Sequence, residues 1–243
     1  TSFGVVSAVK KLAGQKRVGH TGTLDPMATG VLPILVGRAV KASDFLVAED
    51  KEYIAEMTLG VRTDTDDITG EILEKCDEIP SEDKVFEAIS SFIGEIEQIP
   101  PMYSAIKVGG VKLVDLAREG ITIERKSRNV KINSIECEKI SENVYKMRIS
   151  CSKGTYIRTL CHDIGEKLGC GAAMSALERT KSGSFTIENS YTIEDLEKLT
   201  IEERAKLVIP IERIFMDYRK IVLPAFFARL AHSGLEIYIK KIG

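Results

Sequence analysis

Two stretches of this chain alternate with a period of two, and together they limit the architectures open to it. In Tyr53, Ala55, Met57, Leu59 and Val61 the apolar residues share one face while Glu56 and Thr58 point the other way, the pattern of a half-buried strand. Tyr145, Met147, Ile149 and Cys151 repeat it against Lys146, Arg148 and Ser150, and the polar Ser141-Glu142-Asn143 segment predicts a hairpin back to residues 128–138. Helical spacing occupies separate stretches. Ser2 predicts the cap of a helix that buries Val5, Val6, Val9 and Leu12 and ends at Gly14. Val85, Phe86, Ile89, Phe92 and Ile93 follow Ser81 at helical spacing and stop at Gly94. After Gly154, Ile157, Leu160, Cys161, Ile164 and Leu168 form another apolar stripe, stopped by Gly169, with Arg158 in its first turn beside the stripe. Thr192-Ile193-Glu194-Asp195 reads as a capping box. Strands that pair as hairpins, with helices set apart rather than alternating as crossovers, predict an α+β fold.

Residues 19–30, Gly-His-Thr-Gly-Thr-Leu-Asp-Pro-Met-Ala-Thr-Gly, break this regular pattern. Between Arg17 and Arg38 the only ionisable side chains are His20 and Asp25, and an apolar run through Val31, Leu32, Ile34, Leu35 and Val36 follows. Glycines at 19, 22 and 30 permit backbone conformations that other residues avoid, and Pro26 keeps Asp25 out of the helical region. Asp25 is therefore offered by a shaped loop. A carboxylate against apolar neighbours stays charged only if a cation or several donors face it, so the rest of the chain has to supply that partner.

Composition narrows the function classes. The 243 residues are enough to bury a sizeable core, as one domain or as one domain with a small appendage. Thirty-four basic residues against 36 acidic ones leave a formal charge of −2, which argues against indiscriminate nucleic-acid binding. RNA contacts, if made, need local patches: Lys10, Lys11, Lys16 and Arg17 ahead of the loop, and Arg125, Lys126, Arg128 and Lys131 in mid-chain. Five cysteines, at 76, 137, 151, 161 and 170, form no Cys-x-x-Cys pair and have no histidine at zinc-finger spacing. Reduced thiols in a cytoplasmic protein are the simple reading. No apolar run approaches the length of a membrane span, and the N-terminus carries no signal-peptide pattern.

The loop at 19–30 resembles the catalytic motif of the TruB family of tRNA pseudouridine synthases, Gly-His-Thr-Gly-x-Leu-Asp-Pro-x-Ala-Thr-Gly. Lys51-Glu52-Tyr53, the run Gly60 to Asp66, the run Pro100 to Lys107, and Gly154 to Leu160 match further motifs in the family's order, so the resemblance covers nearly the whole chain. It implies a largely antiparallel sheet flanked by helices around a central catalytic cleft. It also implies a catalytic domain over residues 1–216 and the start of a small RNA-binding (PUA-like) subdomain over 217–243.

By the same resemblance Asp25 is the nucleophile, Arg158 its charged partner, and Tyr53 the tyrosine that stacks on the uracil and takes a proton. Tyr156 and Leu177 correspond to positions lining the uridine pocket, and His20 to one that contacts the RNA around the flipped-out base. The activity implied is conversion of uridine 55 in the TΨC stem-loop of tRNA, without metal, cofactor, membrane, guide RNA or obligate protein partner. The segment from Pro100 to Gly120 favours this stand-alone branch over the guide-RNA-dependent one. Three departures stand out. The chain opens at Thr1-Ser2-Phe3, where the family carries a Lys-Pro-x-Gly segment just upstream. Val114 replaces a frequent aromatic, and Glu178 precedes Arg179 where two arginines are often found.

Overall fold

The structure is a computed structural model that describes residues 1–47, 49–216 and 218–238. It divides into two compact units, the first covering Thr1–Lys206 and the second starting at Leu207.

Seven strands build the main sheet of the first unit: β1 (Thr29–Gly30), β2 (Lys51–Leu59), β3 (Gly94–Gln98), β4 (Arg128–Lys139), β5 (Val144–Cys151), β6 (Ala172–Ser182) and β7 (Phe185–Thr186). Their spatial order is β7-β6-β2-β5-β4-β3, antiparallel throughout, with β1 added to β6 as the one parallel pair. The hairpin expected from the alternation is β4–β5, and β2 lies between β5 and β6 at the centre. Ala55, Met57 and Leu59 of β2 are fully buried, with Tyr145, Met147 and Ile149 of β5 beside them.

The expected strand 53–61 is shorter than its alternation. It stops at Leu59 because Gly60, at φ +83°, turns the chain, and a side chain there would strike the carbonyl of Cys76. Val61–Thr63 then pairs with Ile72–Lys75 in a separate small hairpin.

Three helices matter for the site: α1 (Ser2–Leu12), α2 (Glu82–Ser90) and α3 (Ile157–Leu168). The core joins the sheet to α2 and α3 through Val85, Ile89, Ile157, Leu160, Cys161 and Ile164. Full burial of each such aliphatic side chain stabilises the fold by roughly 1.5–3 kcal/mol. Ile93, counted in the apolar stripe of α2, instead lies beyond its end and is exposed.

Ser2 does not cap α1. Thr1 does, its hydroxyl accepting the Gly4 N–H at 3.1 Å, and Ser2 sits buried in the first turn. Farther along, the capping box at Thr192 and Asp195 is present as the sequence predicts.

The second unit contains a 3₁₀ turn (Ile211–Phe215) and a helix (Ala225–His232). None of its described side chains is buried. Of the segment 217–243, residues 217 and 239–243 lie outside the described residues.

Candidate active site

The Asp25 loop is held at its neck by a short antiparallel pair, Val18–His20 with Ile34–Val36, and Thr21 N–H donates to the Pro33 carbonyl at 3.1 Å. At its tip Asp25-Pro26-Met27-Ala28 is a β-turn, closed by the Ala28 N–H to the Asp25 carbonyl at 3.0 Å, with proline at the position whose fixed φ suits it. Met27 and Ala28 pack on the core beneath. The buried Ser2 hydroxyl accepts from Leu24 N–H at 2.9 Å and donates to the Leu24 carbonyl at 3.3 Å. The residue expected to cap α1 thus ties the helix to the residue preceding Asp25.

The cation that the apolar loop requires is Arg158, 133 positions away in sequence. Its Nε donates to Oδ2 of Asp25 at 2.8 Å and its Nη2 to Oδ1 at 3.0 Å, a bidentate pair. The two partners differ in exposure. The Arg158 side chain is 5% exposed, whereas Asp25 keeps 31%. Each carboxylate oxygen retains a lone pair, so the exposed edge of Asp25 stays open to a reacting atom.

Arg158 is itself fixed by two main-chain carbonyls, Thr65 at 2.9 Å from Nη1 and Tyr103 at 2.8 Å from Nη2, and Asp67 stands 3.9 Å from Nη1. These come from two further motif segments. The Tyr103 hydroxyl donates to Asp64 at 3.2 Å and joins the two loops. Between Thr65 and Asp67, Asp66 adopts φ +61°, the one non-glycine residue with positive φ among those described, and turns the chain so that the Thr65 carbonyl meets the guanidinium. Its carboxylate lies 3.4 Å from Nδ1 of His162, one turn after Arg158 on α3. Burial pushes the Asp66 carboxyl up, with His162, Arg158 and Arg125 pulling it back.

Tyr53 leaves β2 on the strand face that carries Ala55 and Met57 and packs against the core cluster. Burial pushes its phenol above the usual tyrosine range, the Arg179 guanidinium pulls it down, and Asp25 adds a smaller upward push. Tyr156 caps α3, where Gln98, 1% exposed, grips its main chain through two hydrogen bonds of 3.0 and 3.2 Å. Burial raises that phenol too. Ser104, Arg128 and Arg158 oppose the shift, and Asp25 reinforces it. Both tyrosines therefore sense the Asp25 carboxylate. Leu177 is buried in β6, opposite Ala55, within the core cluster. His20 ends the neck strand with its Nδ1 buried and unpartnered, and burial followed by Arg179 lowers the imidazole pKa, which favours the neutral ring.

Lys51 and Glu52, which flank Tyr53 in its motif, have structural partners. Lys51 Nζ donates to the carbonyls of Val47 and Glu49, and Glu52 accepts from Arg148 at 2.7 Å and Thr180 at 2.9 Å. Of the expected basic patches, Lys11, Lys16, Arg17, Lys126, Arg128 and Lys131 are exposed, while Arg125 is turned inward to the Pro100 carbonyl at 3.2 Å. Among the described residues no group of three or more His, Cys, Asp or Glu could hold a metal ion, and no helix is long and apolar enough to cross a membrane.

Sequence reasoning missed the tie of Ser2 to Leu24, the grip of Gln98 on Tyr156 and the carbonyls of Thr65 and Tyr103, because main-chain partners leave no signature in side-chain type. It also missed the burial of Arg179. The signal was present, since Arg179 lies two residues beyond the inward-facing Leu177 on a strand.

The site thus sets an arginine-clamped aspartate on a loop beside a largely antiparallel sheet, with Tyr53 and Tyr156 near enough to feel its charge. Residues 10–157 match the N-terminal domain of the TruB family pseudouridylate synthases, and residues 158–225 match the tRNA pseudouridylate synthase B C-terminal domain. The chain is 49% identical to the tRNA pseudouridine synthase B of Clostridium tetani over 243 residues, all of this chain and 83% of that protein. With that of Francisella tularensis subsp. tularensis it shares 48% over 215 residues, 88% of this chain and 71% of the other. Among solved structures it resembles a chain of a Cbf5-Nop10-Gar1 complex at 33% identity and a TM-score of 0.68, covering 88% of this chain and 57% of that one. The chain belongs to the TruB family of pseudouridylate synthases, and so to the isomerases that convert uridine to pseudouridine. The two family segments meet between Ile157 and Arg158, so the Asp25–Arg158 pair joins one to the other within a single compact unit.

Proposed function

We propose that this chain isomerises uridine 55 in the TΨC loop of tRNAs to pseudouridine, acting without a guide RNA on a flipped-out base, with Asp25 as the nucleophile. The observation that carries this reading is the bidentate clamp of Arg158 on a carboxylate whose far edge stays exposed. The reaction breaks the bond from ribose C1′ to uracil N1, joins C1′ to C5, removes the proton from C5 and leaves N1 protonated. No electrons enter or leave. A carboxylate that can attack carbon and later depart divides this exchange into easier steps, and the bidentate pair with Arg158 aims it.

Tyr53 stacks on the uracil and, as the phenolate that the Arg179 guanidinium favours against the opposing burial, takes the C5 proton on its oxygen. Tyr156 and Leu177 line the uridine pocket. Flipping the base costs a few kcal/mol, and the neutral ring of His20 recovers part of that by contact with the RNA around the vacated stack. The exposed Lys11, Lys16, Arg17, Lys126, Arg128 and Lys131 contact phosphates, and residues 217–243 begin a PUA-like RNA-binding subdomain.

Specificity for tRNA is supported by 49% identity to a tRNA pseudouridine synthase B, and the protein acts with no obligate protein partner. The setting is the cytoplasm. The test is incubation of the protein alone with an unmodified tRNA transcript, followed by mapping of pseudouridine. Product confined to position 55 supports the reading, and product elsewhere or none refutes it.

A further inference from the structure

Arg179 is 2% exposed, yet among the described residues no carboxylate pairs with it: Nε donates to the Val31 carbonyl at 2.8 Å, Nη2 to the Gly22 carbonyl at 3.0 Å, and the guanidinium also hydrogen-bonds the Tyr53 phenol. Burying a guanidinium is costly when no carboxylate offsets its charge, so its place in the interior calls for a reason. The two carbonyls bracket Asp25, three positions before it and six after. The backbone repeats the attachment. Val31 N–H donates to the Arg179 carbonyl at 2.8 Å, and β1 pairs Thr29 with Glu178 and Gly30 with Arg179. Gly30 has φ +98°, and a Cβ there would lie 2.2 Å from the Arg179 carbonyl oxygen, so only glycine permits so close an approach. On its other side Arg179 is the direct cross-strand partner of Tyr53.

We propose that Arg179 is the positioning residue of this site: its fork pins both shoulders of the Asp25 loop to β6 while its strand carries Tyr53 alongside, so that carboxylate and phenol meet the uracil in one register. The inference rests on the roles proposed above for Asp25 and Tyr53. Arg158 fixes the tip of the loop and Arg179 its base. A lysine in place of Arg179 keeps the charge but cannot offer two coplanar donors to two carbonyls at once.

The experiment compares wild type with Arg179→Lys and Arg179→Met, using Val85→Ala, a core truncation in α2, as the control for lost stability. Three quantities are read well below every melting temperature: single-turnover rate on a tRNA transcript, tRNA affinity, and amide hydrogen exchange of residues 21–31. We expect both Arg179 variants to bind tRNA as wild type does and to turn it over about a hundredfold more slowly, the scale of a small misplacement of reacting groups. Exchange should quicken in the loop. Val85→Ala should keep wild-type turnover and loop exchange.

Turnover close to wild type in the Arg179 variants overturns the proposal, as does a rate loss without faster loop exchange or one that Val85→Ala shares. If the lysine variant does not fold, the methionine variant, which removes the buried charge, decides. An active Asp25→Asn protein would refute the catalytic reading separately, because loop exchange reports on Arg179 whether or not Asp25 is the nucleophile.

Discussion

Two buried arginines organise opposite ends of one loop, and their partners differ in kind. Arg158, on α3, faces a carboxylate and two carbonyls; Arg179, on β6, donates to two carbonyls and reaches the Tyr53 phenol, with no carboxylate partner among the described residues. The first pairing governs charge, since the guanidinium meets the carboxylate directly through two parallel hydrogen bonds. The second governs shape, since carbonyls at Gly22 and Val31 fix where the loop leaves the sheet. Charge and geometry are thus set by separate residues on separate elements, so each can be disturbed while the other is left in place.

Arg158→Lys sharpens this contrast most. It retains the positive charge but loses the bidentate grip and strands the Thr65 and Tyr103 carbonyls, so turnover should fall by about 10²–10³. The melting temperature should also fall by several degrees, because buried acceptors lose their donors. Single-turnover kinetics and thermal melts check both, and a lysine variant with wild-type turnover would mean that charge alone suffices at that end of the loop.

Tyr53→Phe comes next and tests whether the residue beside Arg179 acts by its ring or its hydroxyl. Stacking needs only the ring. If the hydroxyl accepts the proton, the phenylalanine variant should bind tRNA normally and form pseudouridine at least about a hundredfold more slowly. Near-native turnover by Phe, with failure of Tyr53→Leu, would leave stacking as the sole role.

The smallest effect lies on α3 away from both clamps. Burial, together with Asp66 and Glu166, pushes the Asp163 carboxyl from 3.8 up to about 6, with His162 opposing. The folded state therefore holds that proton more tightly than the unfolded chain, and stability declines as pH rises from about 4 to about 6. Asp163→Asn removes this penalty. Melting at pH 8 should rise by about 2–4 °C and the gain should vanish near pH 4, with turnover unaffected. A gain of equal size at both pH values would show that burial of the charge is not its cause.

How far these features were legible depended on whether side-chain chemistry carried them. The alternation at 145–151, the apolar stripe of α3 and the capping box at Thr192 were readable because each is a repeating pattern of side-chain types. The solitary charge of Asp25 announced the need for a cation, and the motif beginning at Gly154 supplied Arg158. Other features were hidden. Thr1 and Ser2 are chemically equivalent caps, and only the placement of Leu24 against Ser2 decides between them. Strand β2 ends at Leu59 although its alternation runs to Val61, because a backbone turn at Gly60 outweighs the pattern. The carbonyls of Thr65, Tyr103, Gly22 and Val31 do much of the positioning, and every residue has a carbonyl. Arg179 stood in plain sight as a charged residue, and the usual surface preference of arginine concealed that it points inward.

The central claim is that an arginine-held carboxylate at position 25 performs the isomerisation, and Asp25→Asn tests it most directly. Asparagine keeps the shape of the side chain and the β-turn while removing the nucleophilic charge. Incubated with an unmodified tRNA transcript at a concentration that saturates binding, the variant should bind the RNA and yield no pseudouridine at position 55 above the enzyme-free control. Sustained pseudouridine formation by a variant verified free of wild-type protein would contradict the account.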